Sequence, residues 1–150
     1  MISAGQTAPD FTLPRDGGAT VTLSALRPGK VVLYFYPKDD TPGCTLEAQD
    51  FNARLADFTA AGTTVIGVSK DSVKSHDKFC KKHGLSIVLA SDEGGQTCED
   101  YGVWVEKSMY GKTYMGTERT TFIIGPDGKI KAVLPKVKPD ERLALVMESL

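Results

Sequence analysis

Two short apolar runs stand out along the chain, and neither alternates with polar residues. Residues 31–36 are Val-Val-Leu-Tyr-Phe-Tyr, and residues 64–69 are Thr-Val-Ile-Gly-Val-Ser. Such runs are typical of strands that are buried on both faces of a sheet. Two further strands are predicted at 119–124 and 129–134, because the segment between them, Gly125-Pro-Asp-Gly128, is a strong hairpin signal.

Helical periodicity occupies the segment between the first two strands. Five apolar positions recur there at spacings of three and four: Cys44, Ala48, Phe51, Leu55 and Phe58. Positions with this spacing share one face of a helix. Thr41 suits the N-cap, and Pro42 suits the first helical position, where a missing N–H costs nothing. We therefore predict one helix over residues 41–61.

The remaining segments complete an α/β pattern. Residues 11–14 and 19–23 indicate an N-terminal β-hairpin. A helix from Asp71 or Ser72 to about Gly84 follows the second central strand, and a last helix follows Lys138. Strand–helix–strand connections require parallel pairing, whereas the late hairpin adds antiparallel strands. The order predicts a mixed central β-sheet with helices on both faces, in one domain that spans residues 1–150.

The junction between the first central strand and its helix carries the candidate chemistry. Cys44 lies in the first turn, where unpaired backbone N–H groups stabilise a thiolate. Gly43 leaves room for a substrate beside the sulfur, and Thr41 has a hydroxyl three residues before it. A buried, inert cysteine is an equally good interpretation of this position taken alone.

Composition excludes several classes of function. The formal net charge of −1 gives no reason to expect binding to nucleic acid or to an anionic membrane. No apolar run approaches the ~18 residues of a membrane span, and the start has no signal-peptide pattern, so we expect a cytoplasmic protein. Neither a metal nor another cofactor is expected. The acidic pair Asp39-Asp40 is interpreted as solvated loop charge.

The junction also resembles a known family. Pro37-x-x-x-Thr41-x-x-Cys44 looks like the signature of peroxiredoxins, and residues 35–48 are similar to the bacterioferritin comigratory protein, or PrxQ, subfamily. Residues 119–124, Arg-Thr-Thr-Phe-Ile-Ile, also resemble that subfamily, and similar segments extend over nearly the whole chain. The resemblance implies a thioredoxin-like fold and thiol-dependent reduction of hydrogen peroxide and organic hydroperoxides, without a cofactor.

The resemblance also implies a role for each residue of the motif. Cys44 would attack the peroxide as a thiolate and become a sulfenic acid. Arg119 would supply a permanent cation, Thr41 would offer its hydroxyl to the substrate, and Pro37 would shield the pocket. Gly43 and Cys44 would add backbone N–H donors. Glu47 is predicted to orient Arg119 through an ion pair, although an exposed acid in the first helical turn is an equally good interpretation.

Recycling requires a second thiol. Many members of the subfamily have a cysteine five residues after the first, but Gln49 occupies that position here. Another version of the subfamily places the resolving cysteine on the next helix, and Cys80 fits that version. Its flanking lysines are expected to lower its pKa if it is exposed. Cys98, in acidic surroundings expected to raise its pKa, is interpreted as structural.

Partners and alternatives follow from this interpretation. Thioredoxin, or glutaredoxin, is the expected reductant, and a monomer is the expected state. A thiol–disulfide oxidoreductase is an alternative, but Thr41 stands where a Cys-x-x-Cys motif would have its first cysteine. A non-catalytic, stress-related binding protein is a further alternative, for which the sequence has no positive feature.

Overall fold

A mixed five-stranded sheet forms the centre of the computed structural model, which describes residues 2–135 and 139–150. The strand order is β5-β4-β3-β8-β9. Two separate antiparallel pairs, β1 with β2 and β6 with β7, lie outside this sheet. The strands are β1 (Thr12–Pro14), β2 (Thr20–Thr22), β3 (Lys30–Phe35), β4 (Thr63–Ser69), β5 (Val88–Ser91), β6 (Trp104–Met109), β7 (Lys112–Thr117), β8 (Thr120–Ile124) and β9 (Ile130–Pro135).

The register of β3 brings the two halves of the chain together. β3 pairs parallel with β4, as the crossover connection requires, and antiparallel with β8. Phe35 is opposite Thr120 in the second pairing, so Arg119 lies just beyond the end of β3. The loop between β3 and the first helix starts at that same end.

Helices connect the strands and cover the sheet. They are α1 (Pro42–Ala53), α2 (Leu55–Ala60), α3 (Val73–His83), α4 (Thr97–Asp100) and α5 (Pro139–Ser149). The predicted bounds of α3 are confirmed, with Ser72 as the start: Ser72 is the N-cap, its Oγ accepts the Ser75 N–H, and Gly84 ends the helix in a left-handed conformation. Lys138, which was predicted to precede the last helix, lies outside the described residues.

Two apolar clusters lie on opposite faces of the sheet. The helix-side cluster is built from β3, α1, α2, α3 and α5 and contains Val32, Tyr34, Phe51, Phe79 and Val146. The hairpin-side cluster contains Leu13 and Val21 of the N-terminal hairpin, Leu33 of β3, and Cys98 of α4. Alternate residues of β3 therefore enter different clusters. The predicted mixed sheet, hairpin and two-sided helical cover are confirmed, with the longer helices on one face.

The single helix predicted over residues 41–61 is wrong, because the chain breaks between α1 and α2. Arg54 has φ −107° and ψ 11°, outside the helical region. The side chain of Asn52 ties the end of α1 to the α3–β5 loop, accepting from the Ser86 N–H at 2.6 Å and donating to the Gly84 carbonyl at 3.2 Å. Phe58 still reaches the core, so the break leaves the apolar periodicity intact.

Residues 104–117 form a second hairpin outside the central sheet. β6 and β7 pair antiparallel, and the turn residues Tyr110 and Gly111 have φ of 52° and 76°. Two central residues with positive φ are typical of the tight hairpin turn that favours glycine. Within residues 2–135 and 139–150, no helix is long and apolar enough to cross a membrane.

Candidate active site

Cys44 is buried in the first turn of α1, with 1% of its surface exposed. Pro42 is the first residue of that helix, and its position follows from the loop that leaves β3. The Nη2 group of Arg119, 75 residues later, donates to Cys44 Sγ at 3.3 Å. The pairing of β3 with β8 delivers the guanidinium to the sulfur, so a permanent cation donates a hydrogen bond to it.

Glu47 holds the other end of the same guanidinium. Its Oε1 lies 2.9 Å from Arg119 Nη1, and its side chain is 1% exposed, compared with 21% for Arg119. Glu47 is one helical turn after Cys44, so α1 presents the carboxylate and the sulfur to one guanidinium. The planar fork of arginine suits such a double contact, and its orientation is fixed by both partners.

Gly43 lies directly against this guanidinium. A Cβ atom added at Gly43 would be 3.3 Å from Arg119 Nη2 and 3.9 Å from Cζ. Such a contact is tighter than carbon and nitrogen atoms ordinarily make. The position therefore needs a residue without a side chain so that Arg119 can reach the sulfur.

Thr41 is the N-cap residue of α1, as predicted, but its side chain makes no capping hydrogen bond. Thr41 has the extended conformation of an N-cap residue, but its Oγ1 donates to the Lys38 carbonyl at 2.9 Å. The hydroxyl proton is thus occupied within the loop, and the oxygen keeps lone pairs that can accept a hydrogen bond. Pro37 lies two residues after Phe35, the end of β3, and is exposed, and its shielding of the pocket stays a prediction.

Cys80 is on α3, partly buried, and packs against the same helix-side cluster as Cys44. Burial raises the pKa of the Cys80 thiol to about 12, with further contributions from Asp16, Asp39 and Asp77. The expectation that the flanking lysines lower this pKa applied to an exposed thiol, and Cys80 is partly buried. Burial and three carboxylates outweigh Arg15, which lowers the pKa, so Cys80 is a thiol in this conformation.

Cys98 is completely buried in the hairpin-side cluster. Burial raises its pKa to about 12, and Asp92, which accepts the Cys98 N–H at 2.8 Å, adds to the effect. The predicted rise in the pKa of Cys98 is confirmed, but the carboxylate that contributes to it, Asp92, belongs to the loop before α4. Cys98 Sγ lies 3.9 Å from Thr117 Oγ1, as expected of a packed thiol.

Sequence reasoning missed a buried polar network beside the site. Asp39, interpreted as a solvated loop charge, is only 7% exposed and contacts Tyr36, Ser75 and His76. The sequence signal that could have revealed this network is His76, a histidine on the apolar side of α3 that shares a helix face with Phe79. In the part of the chain that the structure describes, no three His, Cys, Asp or Glu side chains are arranged to hold a metal ion.

Comparisons with known proteins agree with this geometry. Residues 4–133 match the model of the AhpC/TSA family. A putative peroxiredoxin bcp of Coxiella burnetii is 52% identical over 146 residues, 97% of each chain. The solved bacterioferritin comigratory protein of Xanthomonas campestris, studied as trapped intermediate and ligand complexes for its alkyl peroxide reduction activity, superposes with a TM-score of 0.90. That chain is 43% identical, with 97% of this chain and 96% of that one covered, and the thioredoxin-like fold is thereby confirmed.

Proposed function

Because the chain belongs to the AhpC/TSA family, as a peroxiredoxin of the Bcp or PrxQ type, we propose that it reduces hydroperoxides with Cys44 as the attacking thiolate. The observation that supports this most is the contact of Arg119 with Cys44 Sγ, together with the Glu47 contact that fixes the guanidinium. The relative from X. campestris, which is named for alkyl peroxide reduction, supports organic hydroperoxides as substrates beside hydrogen peroxide.

The first step oxidises the sulfur and reduces the peroxide. The thiolate attacks one peroxide oxygen, the O–O bond breaks, and the other oxygen takes a proton and leaves as water or alcohol. Cys44 becomes a sulfenic acid. Negative charge spreads over both oxygens in the transition state, and Arg119 with the backbone N–H groups at the start of α1 lies where it stabilises that charge.

Thr41 orients the substrate in this proposal. Its hydroxyl proton is donated to the Lys38 carbonyl, so the oxygen receives the O–H of the hydroperoxide on a lone pair. This bond places the distal peroxide oxygen beside the sulfur and aligns the O–O bond for attack. Pro37 limits access of water from the outer side of the loop.

Cys80 resolves the sulfenic acid. Its sulfur attacks Cys44 Sγ, a disulfide forms, and the hydroxyl of the sulfenic acid leaves as water. Both cysteines pack against the helix-side cluster, which supports this partner over Cys98 on the opposite face. Because a disulfide requires Cα atoms about 4.4–6.8 Å apart, the first turn of α1, the Cys80 segment, or both unwind for this step.

A dithiol reductant of the thioredoxin type then restores both thiols. Thioredoxin is the proposed donor, glutaredoxin is the alternative, and the compartment proposed for this cycle is the reducing cytoplasm. We further propose a monomer with one domain over residues 1–150. Ile2 and Leu150 pack against the two clusters that share β3, which supports the single domain.

Intact mass and turnover test these assignments. One equivalent of hydrogen peroxide should remove two hydrogens from the wild type through the Cys44–Cys80 disulfide. Cys80→Ser should instead gain one oxygen on Cys44, and Cys44→Ser should remain unchanged. Turnover with reduced thioredoxin should require Cys44 and Cys80, and the matched variant Cys98→Ser should keep it.

Two outcomes would contradict separate parts of the proposal. Absence of peroxide consumption by the wild type, beside reduction of insulin disulfides, would favour the thiol–disulfide oxidoreductase. A disulfide that persists in Cys80→Ser would remove Cys80 as the resolving residue and assign that role to Cys98.

A further inference from the structure

One buried carboxylate joins the segments that carry Cys44 and Cys80. Asp39 lies in the loop between β3 and α1, five residues before Cys44. Its Oδ1 accepts the Tyr36 hydroxyl at 2.5 Å. Its Oδ2 accepts the Ser75 hydroxyl at 2.8 Å and lies 2.7 Å from His76 Nδ1, and both of these residues belong to α3. The loop of one cysteine is thus attached to the helix of the other.

His76 is held through both of its ring nitrogens. Its Nδ1 faces the Asp39 carboxylate, and its Nε2 lies 3.0 Å from the Ala90 carbonyl of β5, so both nitrogens face acceptors. Burial opposes the charged ring, but Asp39, the Ala90 carbonyl and Asp71 outweigh it and raise the pKa of His76. The hydroxyl of Tyr36, whose pKa burial raises well above its usual value, also faces the ring at 3.5 Å. A proton on each ring nitrogen would satisfy both acceptors and make the contact between Asp39 and His76 a buried ion pair.

The same loop has weaker attachments at the surface. The Asp39 N–H donates to Asp71 Oδ2 at 2.9 Å. Asp40, the next residue, lies 2.7 Å from Lys82 Nζ and 2.9 Å from His83 Nε2, but its side chain is 41% exposed. Exposed pairs contribute little because water screens them, whereas a buried ion pair costs much to break. Asp39 and Asp40 are thus adjacent in the loop and both contact α3, but the Asp39 contacts are buried and the Asp40 contacts are exposed.

We propose that the Asp39–His76 ion pair is a latch that holds the Cys44 loop and the Cys80 helix in the peroxide-reducing conformation and opens before the disulfide forms. The inference rests on the proposed role of Cys80 as the resolving residue. While the latch is closed, Asp39 fixes the loop that carries Thr41 and Cys44 and so acts as a positioning residue for the attack on peroxide. When it opens, the loop and α3 lose their shared buried anchor, and both segments can unwind.

The closed latch also keeps Cys80 unreactive. Cys80 is one helical turn after His76, and Asp39 is among the carboxylates that raise its pKa to about 12. A protonated thiol resolves a sulfenic acid slowly, because the thiolate is the nucleophile. Opening the latch removes this charge from the vicinity of Cys80 and exposes the sulfur to water, so reactivity and access change together.

Asp39→Asn separates the two steps of the cycle. The amide keeps the size of the side chain but removes the charge that pairs with His76. We expect slower formation of the Cys44 sulfenic acid and an increase of about tenfold in the rate of Cys44–Cys80 disulfide formation, because the buried ion pair no longer opposes unwinding. Rapid acid quench after mixing with one equivalent of hydrogen peroxide, followed by intact mass, measures both rates in one experiment.

Asp40→Asn is the matched control, since it removes a carboxylate from the next position of the same loop and from contacts to the same helix. It should change both rates less than twofold, as expected of an exposed pair. Asp39→Glu, which restores the charge, should return disulfide formation toward the wild-type rate. If Asp39→Asn does not fold, Ser75→Ala carries the test, because it removes one donor to the same carboxylate and should accelerate disulfide formation in the same direction.

The possible failures are distinguishable. A wild type that forms no Cys44–Cys80 disulfide contradicts the proposed function of Cys80 itself. A wild type that forms the disulfide while Asp39→Asn leaves its rate unchanged contradicts the latch alone. Equal slowing of both steps in Asp39→Asn would mean that Asp39 supports the fold generally, and this result would also overturn the latch.

Discussion

Arg119 is the residue on which the chemistry of the site depends, because its guanidinium contacts the sulfur and a buried carboxylate at the same time. Nη2 donates to Cys44 Sγ at 3.3 Å, and Nη1 lies 2.9 Å from Glu47 Oε1. The contact with Glu47 restricts rotation of the Arg119 guanidinium before a substrate binds. The guanidinium therefore needs little reorganisation to stabilise the transition state. A lysine would supply charge but only a single point of contact.

Arg119→Lys should therefore lower the second-order rate constant for peroxide by about 10²–10³, the usual effect of removing one donor aimed at developing charge. The measurement is single-turnover oxidation of Cys44 followed by competition with a second peroxidase. Arg54→Lys is the matched control, since Arg54 is an exposed arginine whose ion pair with Asp57 lies outside the site. A rate within threefold of the wild type for Arg119→Lys would exclude the bidentate role.

Gly43→Ala tests the close approach of the helix start to the guanidinium. The new methyl group would lie 3.3 Å from Arg119 Nη2, so Arg119 must move away from the sulfur. We expect a decrease of about tenfold or more in the rate of Cys44 oxidation, since displaced catalytic groups lose much of their effect, while thermal stability changes little. Gly94→Ala is the control, because a Cβ there meets no atom within 4 Å. Equal rates for Gly43→Ala and the wild type would show that Arg119 has room to shift without cost.

At the scale of elements, the sequence predicts what local patterns determine. The two central strands, the caps of α3 and the start of α1 follow from apolar runs, Ser72, Gly84 and Pro42. The break at Arg54 was not predicted, and the Asn52 side chain beside it bonds to a loop more than thirty residues later in the chain, a contact that no local pattern reveals. The network at Asp39 was missed for the same reason, since its partners on α3 are 36 and 37 residues away.

Asn52→Ala should remove the tie between α1 and the α3–β5 loop. The Asn52 side chain accepts the Ser86 N–H and donates to the Gly84 carbonyl, and loss of two such bonds should lower the free energy of unfolding by about 1–3 kcal/mol. Urea denaturation followed by circular dichroism gives this value. Asn52→Asp, which keeps the acceptor and loses the donor, should show a smaller decrease. Equal stability of both variants and the wild type would show that these two hydrogen bonds make no net contribution to the stability of the fold.

At the scale of the whole molecule, strand order brings the distant parts of the site together. β3 lies between β4 and β8, so one sheet end receives the loop before Cys44, the Arg119 side chain from the second half of the chain, and α3 from the crossover after β4. The family resemblance supplied Arg119 as a partner of Cys44, because 75 residues of separation conceal the pair from any local pattern. The same arrangement brings together two groups whose pKa values shift in opposite directions, since the pKa of His76 is raised and that of Asp40 is lowered. The free energy of unfolding therefore depends on pH in a defined way.

His76 and Asp40 should limit stability on opposite sides of neutrality. The pKa of His76 is raised from 6.5, so its stabilisation is complete below about pH 6.5 and is lost as the pH rises through the native pKa. Hydrogen bonds from Lys82 and His83 lower the pKa of Asp40 from 3.8, so its smaller contribution is present above that value and is lost as the pH falls through the native pKa.

The variant His76→Gln tests the loss of unfolding free energy that is expected as the pH rises above 6.5. Between pH 6.5 and the raised native pKa of His76, the wild type should lose up to about 1.4 kcal/mol of unfolding free energy for each pH unit, because one proton is bound in the native state and not in the unfolded state. The glutamine variant should lack that slope. Asp40→Asn should keep it, should be slightly less stable than the wild type above pH 3.8, and should converge with the wild type in acid. Urea denaturation from about pH 2 to about pH 9 gives the three profiles. The same slope in His76→Gln as in the wild type would show that the Asp39–His76 contact carries no net charge interaction, and the latch would then have no titratable component.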